Sequence, residues 1–211
     1  AESWSGLYKG TFQNTLDIFS ENFSGKGKYQ ADNGSFIDGE WVNGKFTGKL
    51  RYIYIMGSIE ATVTNGKNAF GTIDNQPAYT YEGSFEINSI TQKYLDYTLT
   101  GKGKYFSPMD GFEIDGEFVN DRFNWVGVYT GENDCKIEIT SMTLDGTGFN
   151  YTVHIPENEW CGVGTYNGTA KITSLTTAEG READDEEFGE KFELRSGNIL
   201  NFEPNLFYIG N

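Results

Sequence analysis

Two pairs of carboxylates, Asp38/Glu40 and Asp115/Glu117, are each spaced two residues apart in alternating text. That spacing puts both acids of a pair on one face of a strand. Two acids facing a sugar are the apparatus of a glycosidase, which needs them about 5–9.5 Å apart and needs one to stay protonated. Here each pair is preceded by two lysines, Lys26/Lys28 and Lys102/Lys104. Lysines facing the acids hold both ionised and leave no general acid. The expectation is a structural charge ladder.

His154 is the single histidine, and in Phe149–Ile155 it alternates onto the face opposite the apolar residues. A Ser-His or Cys-His centre needs a nucleophile beside the base, and no nucleophile motif accompanies this histidine. No catalytic residue is therefore assigned. Two distant cysteines and one histidine are no four-ligand zinc set. The acidic run from Glu179 to Glu193, with Asp184-Asp185-Glu186-Glu187 inside it, lacks the spaced ligands and central glycine of a calcium loop. It is expected to be a solvated loop. Gly25-Lys26-Gly27-Lys28 lacks the spacing of a phosphate loop. No metal and no cofactor are expected.

The aromatic residues remain. Trp41, Tyr52, Tyr54, Tyr81 and Trp125 could face a sugar ring or a peptide, and they form the candidate ligand-binding set. Their alternation with glycine also accounts for them as core packing.

The elements that carry these residues are hairpins. Ile37, Gly39 and Trp41 share one strand face and Asp38 and Glu40 the other, while Gly25, Gly27 and Tyr29 share one face and Lys26 and Lys28 the other. Asn33-Gly34 between them is a hairpin signal, because both residues tolerate positive φ. Folding there sets lysine against acid across the strands. The block recurs as Gly101-Lys102-Gly103-Lys104-Tyr105 and Ile114-Asp115-Gly116-Glu117-Phe118, so a group of hairpins is duplicated. Glycine inside a strand weakens it. Its repetition here is read as room for a ring of the next hairpin.

The text Ile37-x-Gly39-x-Trp41-x-Asn43-Gly44-Lys45-x-x-Gly48 resembles the MORN repeat. Tyr8 to Tyr29 and Tyr81 to Tyr105 match with insertions, and Ile114 to Trp125 matches with Asn120-Asp121 in place of Asn-Gly. The resemblance covers about residues 7–130. It implies an antiparallel sheet of successive hairpins, a binding or scaffolding role and, in some members, phospholipid contact.

Further hairpins are expected to turn at Asn43-Gly44, at Asn65-Gly66 and at Pro108 to Gly111. Leu50 to Ile55 lacks alternation and is read as buried on both faces. Asp74 to Pro77 is read as the joint between the copies, and Asn88 to Lys93 as an insertion. Beyond about residue 126 the glycine-aromatic text gives way to short alternating strands. Their turns are placed at Asp145-Gly146, Asn167-Gly168 and Ser196-Gly197-Asn198. This spacing suggests a small antiparallel barrel or sandwich. The fold expectation is all-β: a MORN-like hairpin sheet over 1–126, followed by a barrel-like module over 127–211.

The 211 residues carry 27 glycines, 16 Phe, 13 Tyr and 4 Trp, which lowers any expectation of helix. The net charge of −15 excludes nucleic acid as a partner and disfavours an anionic membrane surface. A protein or a carbohydrate remains as the partner class. Ala1-Glu2-Ser3-Trp4 reads as a processed terminus, so secretion or surface display after removal of a signal peptide is expected. In that setting Cys135 and Cys161 are expected to form a disulfide. Sequons at Asn22, Asn33, Asn150 and Asn167 leave glycosylation open. The leading expectation of function is a non-enzymatic binding protein. The alternative is a calycin-like small-ligand carrier or hydrolase with its pocket in the C-terminal module.

Overall fold

The computed structural model describes residues 4–9, 24–91, 94–131, 134–156, 164–183, 189–203 and 206–210. Among them every extended regular element is a strand and no α-helix occurs. The chain divides into two compact units, Ala1–Gly111 and Phe112–Asn211.

The first unit is an antiparallel meander of β1 (Trp4–Lys9), β2 (Gly25–Ala31), β3 (Phe36–Val42), β4 (Lys45–Tyr54), β5 (Gly57–Thr64), β6 (Asn68–Asn75), β7 (Tyr79–Ile90) and β8 (Leu95–Ser107), each paired with the next. The lysine-acid hairpin forms in the expected register, Lys26 opposite Glu40 and Lys28 opposite Asp38. Burial alternates as the sequence pattern requires: Tyr29, Ile37, Trp41, Phe46 and Leu50 are buried, and the charged residues between them are exposed. The β3–β4 turn has Asn43 at φ +49° and Gly44 at +76°, and the β5–β6 turn has Asn65 at +55° and Gly66 at +71°. Both are the left-handed pairs that Asn-Gly supplies.

Asn33-Gly34 behaves differently. The loop spans four residues, and Gly34 takes the positive φ of +90°. Asn33 works through its side chain, donating to the Ile53 carbonyl at 3.0 Å and accepting from the Ser35 amide at 2.9 Å.

Glycines occur in cross-strand register, Gly27 opposite Gly39 opposite Gly48, and Gly71 opposite Gly83 opposite Gly103. A Cβ on Gly39 would come within 2.8 Å of the Gly48 Cα, so the neighbouring backbone occupies most of the space. The expected rings are found at Gly39, where Phe46 of β4 would lie 2.8 Å from a Cβ, and at Gly103, where the ring belongs to Tyr81 of the same hairpin.

The β7–β8 hairpin is long and carries register shifts between Gly83 and Phe85 and between Ile87 and Ser89. The expected insertion at Asn88 to Lys93 thus lengthens strands; residues 92 and 93 lie outside the described residues. These bulges bend the hairpin. Thr91 at its tip returns over the sheet, where its carbonyl accepts from the Tyr52 hydroxyl of β4 at 3.3 Å. That fold-back covers apolar side chains of a sheet whose other face is charged.

Two expectations need correction here. Leu50 to Ile55 is not buried on both faces: Leu50 and Tyr52 are buried, Arg51 is exposed, and Ile55 stands fully exposed in the β4–β5 turn. Asp74 to Pro77 is no joint, because β6 and β7 pair continuously up to Asn75 opposite Tyr79.

In the second unit β9 (Phe112–Val119) and β10 (Arg122–Phe123) form a hairpin. They precede a closed barrel of β11 (Gly127–Thr130), β12 (Lys136–Met142), β13 (Gly148–Ile155), β14 (Gly164–Ile172), β15 (Thr177–Glu182), β16 (Glu190–Arg195), β17 (Ile199–Glu203) and β18 (Leu206–Gly210). The barrel closes through β11 and β18, with Tyr129 opposite Gly210. Its first strand starts at Gly127, whereas the compact units part earlier, after Gly111, so the boundary read at 126 does not coincide with the division between them. The β9–β10 hairpin is bonded to barrel loops: the Asp115 carbonyl accepts from Asn198 Nδ2 at 2.7 Å, and Arg122 Nη1 donates to the Asp145 carbonyl at 2.9 Å.

Rings fill the described barrel interior. Trp125 stacks on Phe149 at 5.2 Å, and Phe192 meets Phe149, Tyr151 and Phe202 at 5.3, 4.9 and 4.9 Å. Asn167-Gly168, expected as a turn, lies inside β14. A Cβ on Gly168 would overlap the Tyr151 ring, so this glycine serves packing. The acidic run, expected as a loop, begins as β15. Ala178 and Gly180 point inward, and a Cβ on Gly180 would lie 2.6 Å from the Phe192 ring. Asp184 to Glu187 lie outside the described residues.

Candidate functional site

The five candidate aromatic residues do not form one site. Trp41 is buried against Phe46 at a ring distance of 4.9 Å. Tyr52 and Tyr81 are buried as well, and the Tyr81 hydroxyl donates to the Ser84 carbonyl at 2.7 Å. Trp125 has no exposed surface. Tyr54 alone of the five is partly exposed.

Tyr54 gathers tyrosines that the sequence reading did not select. The β7–β8 fold-back brings the hydroxyls of Tyr79 and Tyr97 to 2.5 Å. Tyr79 stacks on Tyr105 at 5.0 Å with ring planes 20° apart, and the Tyr54 hydroxyl donates to the Asp74 carbonyl at 3.4 Å. All four rings are partly exposed. Burial, then Tyr79 and Asp74, push the Tyr54 phenol up to about 12, against a hydrogen bond with Tyr97 that lowers it. Tyr105 is pushed up by burial, then by Tyr79 and Asp110. These phenols stay neutral near pH 7 and act as hydrogen-bonding rings. Alternation with Tyr81 was the one signal that could have found Tyr79; the bend that delivers Tyr97 left no mark in the local pattern.

Large apolar residues flank this end of the first unit. Ile55 and Met56 in the β4–β5 turn are 101% and 56% exposed, and Met109, in the turn after β8, is 75% exposed. In a meander these turns lie at the same end of the strands.

The polar candidates are outward. Asp38, Glu40, Asp115 and Glu117 are all exposed. Lys26 Nζ lies 3.5 Å from Glu40 Oε2, Lys28 sits over the Phe36 ring at 5.0 Å, and Glu117 accepts from Asn124 Nδ2 at 3.2 Å. In the second copy Lys104 stands opposite Glu82 of β7. His154 lies on the outer face of β13, with Nδ1 3.2 Å from Thr165 Oγ1 and Nε2 3.9 Å from Glu138 Oε2. Thr165 does set a hydroxyl beside the imidazole, but it is exposed on an outer strand face rather than held in a cleft.

Cys135 is buried, while Cys161 lies outside the described residues, and so does the expected pairing. Among the described residues no three His, Cys, Asp or Glu side chains gather as a metal site. One polar group inside the barrel was missed by the sequence reading: Glu190 accepts hydroxyl bonds from Tyr151 and, at 2.8 Å, from Tyr166.

No family model matches the chain, and no curated protein matches its sequence.

Proposed function

We propose that this chain is a non-enzymatic binding protein, secreted or displayed at the cell surface. Its N-terminal unit is a MORN-like hairpin sheet that meets a protein partner through its tyrosine-lined end. One observation carries the reading: Ile55, Met56 and Met109 are exposed at turns of the unit that also holds the partly exposed rings of Tyr54, Tyr79, Tyr97 and Tyr105. Exposed apolar side chains grouped beside polar-tipped rings are typical of interaction surfaces. Tyrosine and methionine are enriched where proteins meet, and lysine and glutamate are depleted. The fixed hydroxyl pair of Tyr79 and Tyr97 limits the entropy lost on binding.

The carrier reading requires room inside the barrel, and the ring packing around Phe192 weighs against it. The hydrolase reading requires a pocket around its base, and His154, with Thr165 and Glu138 beside it, stands on the exposed outer face of the barrel, which weighs against it.

The test is a pull-down from the native extracellular fraction, comparing the wild type with Ile55→Asp/Met56→Asp. A protein retained by the wild type and lost by the variant, with the melting temperature unchanged, supports the proposal. Equal retention by both overturns it.

A further inference from the structure

The tyrosine-lined end of the first unit has a charge unlike the rest of its sheet. Its turns are residues 32–35, 55–56, 76–78 and 108–111. Asp32 and Asp110 lie in these turns, and Asp74 is next to last in β6. No lysine or arginine of the first unit occurs in the turns or in the three residues on either side of each. Lys28, Arg51 and Lys104 are the nearest in the chain, and all three stand on the charged face. Lys28 lies over the Phe36 ring, Arg51 is 3.1 Å from Glu60, and Lys104 is opposite Glu82. Lys9, Lys26, Lys45 and Lys67 stand toward the opposite end of the meander.

The acids at the tyrosine end are not compensated from within. Among the described residues none of Asp32, Asp74 and Asp110 is in an ion pair. Asp110 Oδ2 accepts from a neutral donor, Ser107 Oγ, at 2.8 Å. Two of these charges reach the rings. Burial and then Tyr79 raise Tyr54 and Tyr105 most, and the next contribution to each is a carboxylate, Asp74 at Tyr54 and Asp110 at Tyr105.

Three chemistries therefore meet on one surface. Ile55, Met56 and Met109 are apolar and exposed. Tyrosine rings present a negative face that attracts a cation laid over it. The carboxylates lack a counter-charge. A lysine or arginine side chain satisfies all three at once, because its apolar stem lies along apolar surface while its charged head stays at the wet rim. An acidic segment would be repelled, and a neutral one would leave the carboxylates unpaired.

We propose that this end docks a basic segment of a partner protein. Lysine or arginine side chains lie over the rings of Tyr54, Tyr79, Tyr97 and Tyr105, with their charges toward Asp74 and Asp110. The proposal rests on the reading of this end as a docking surface and adds the chemistry of the partner.

The experiment is an NMR titration of the full, isotope-labelled chain with three short acetylated, amidated peptides. They share one leucine-serine frame and carry lysine, glutamine or glutamate at the same positions. The lysine peptide is expected to give saturable shifts at the Tyr54, Tyr79 and Tyr105 amides and to bind about tenfold more tightly than the glutamine peptide, the scale of a desolvated cation–π contact. The glutamate peptide should bind more weakly than either. Asp74→Asn/Asp110→Asn should abolish the preference for lysine, and Asp115→Asn, at an exposed acid of the second unit, should leave it intact. Lysine and glutamine peptides bound equally at the tyrosine end would overturn the basic partner and leave the docking reading standing. That reading falls separately, if Ile55→Asp/Met56→Asp leaves pull-down retention unchanged. A lysine preference that survives Asp74→Asn/Asp110→Asn, or no saturable shift at the tyrosine end, would also overturn the proposal.

Discussion

Glycine admits a ring in both units: Phe46 at Gly39 and Tyr81 at Gly103 in the sheet, Tyr151 at Gly168 and Phe192 at Gly180 in the barrel. The units differ in how far they close over their rings. In the N-terminal sheet Gly39 and Gly48 face each other across paired strands, and four tyrosines keep part of their surface. In the barrel Gly168 and Gly180 lie under Tyr151 and Phe192, and the rings are drawn inside. A closed barrel has an interior that side chains must fill. A meander closes its dry face only as far as the β7–β8 fold-back reaches, and rings at its margin stay available to a partner. Closure, rather than composition, decides which rings are free to bind.

Phe192→Ala should show the largest effect. Loss of the ring that touches Phe149, Tyr151 and Phe202 is expected to cost about 3–5 kcal/mol in urea unfolding. Tyr54→Ala at the sheet margin should cost markedly less; equal losses would erase the contrast between the units.

Gly168→Ala comes next, at about 1–3 kcal/mol, because its Cβ meets the Tyr151 ring. Gly164→Ala, four positions earlier in the same strand, has open space and should stay within about 0.5 kcal/mol. Two equally tolerated variants would show that the ring above Gly168 can move aside.

The alkaline limb separates the units by titration. Burial raises Tyr54 and Tyr81 in the sheet and Tyr129 in the barrel from 10.0 to about 12. The unfolded chain therefore releases these protons first. Their contribution to stability is whole below pH 10 and is lost as pH rises through about 12. Tyr81→Phe and Tyr129→Phe should each flatten the fall of melting temperature over this window; a slope identical to wild type in both would refute the assignment.

The smallest effect belongs to the acid limb. Bonds from Thr143 and Thr147 lower Asp145 from 3.8 to about 2, so its contribution is present above the ordinary carboxylate range and fades as pH falls through about 2. Asp145→Ala should remove that dependence, read as amide exchange at Thr147, with little change in global stability. Unchanged exchange would show that the turn holds without its carboxylate.

The amino-acid sequence determined the all-β class, the antiparallel hairpins, the lysine-acid register at Lys26/Glu40 and Lys28/Asp38, and the Asn-Gly turns at 43–44 and 65–66. Each depends on neighbours in the chain or on a strand's period of two, and both are local. The tertiary structure decided what local text does not encode. It made Gly168 a packing position where a turn was read, and it turned the small residues Ala178 and Gly180 into an inward strand face. It buried Trp41, Tyr52, Tyr81 and Trp125 while bringing Tyr54, Tyr79, Tyr97 and Tyr105 together. A glycine or tyrosine has the same local preferences in either role; which role it takes depends on the ring or backbone that arrives from a distant strand.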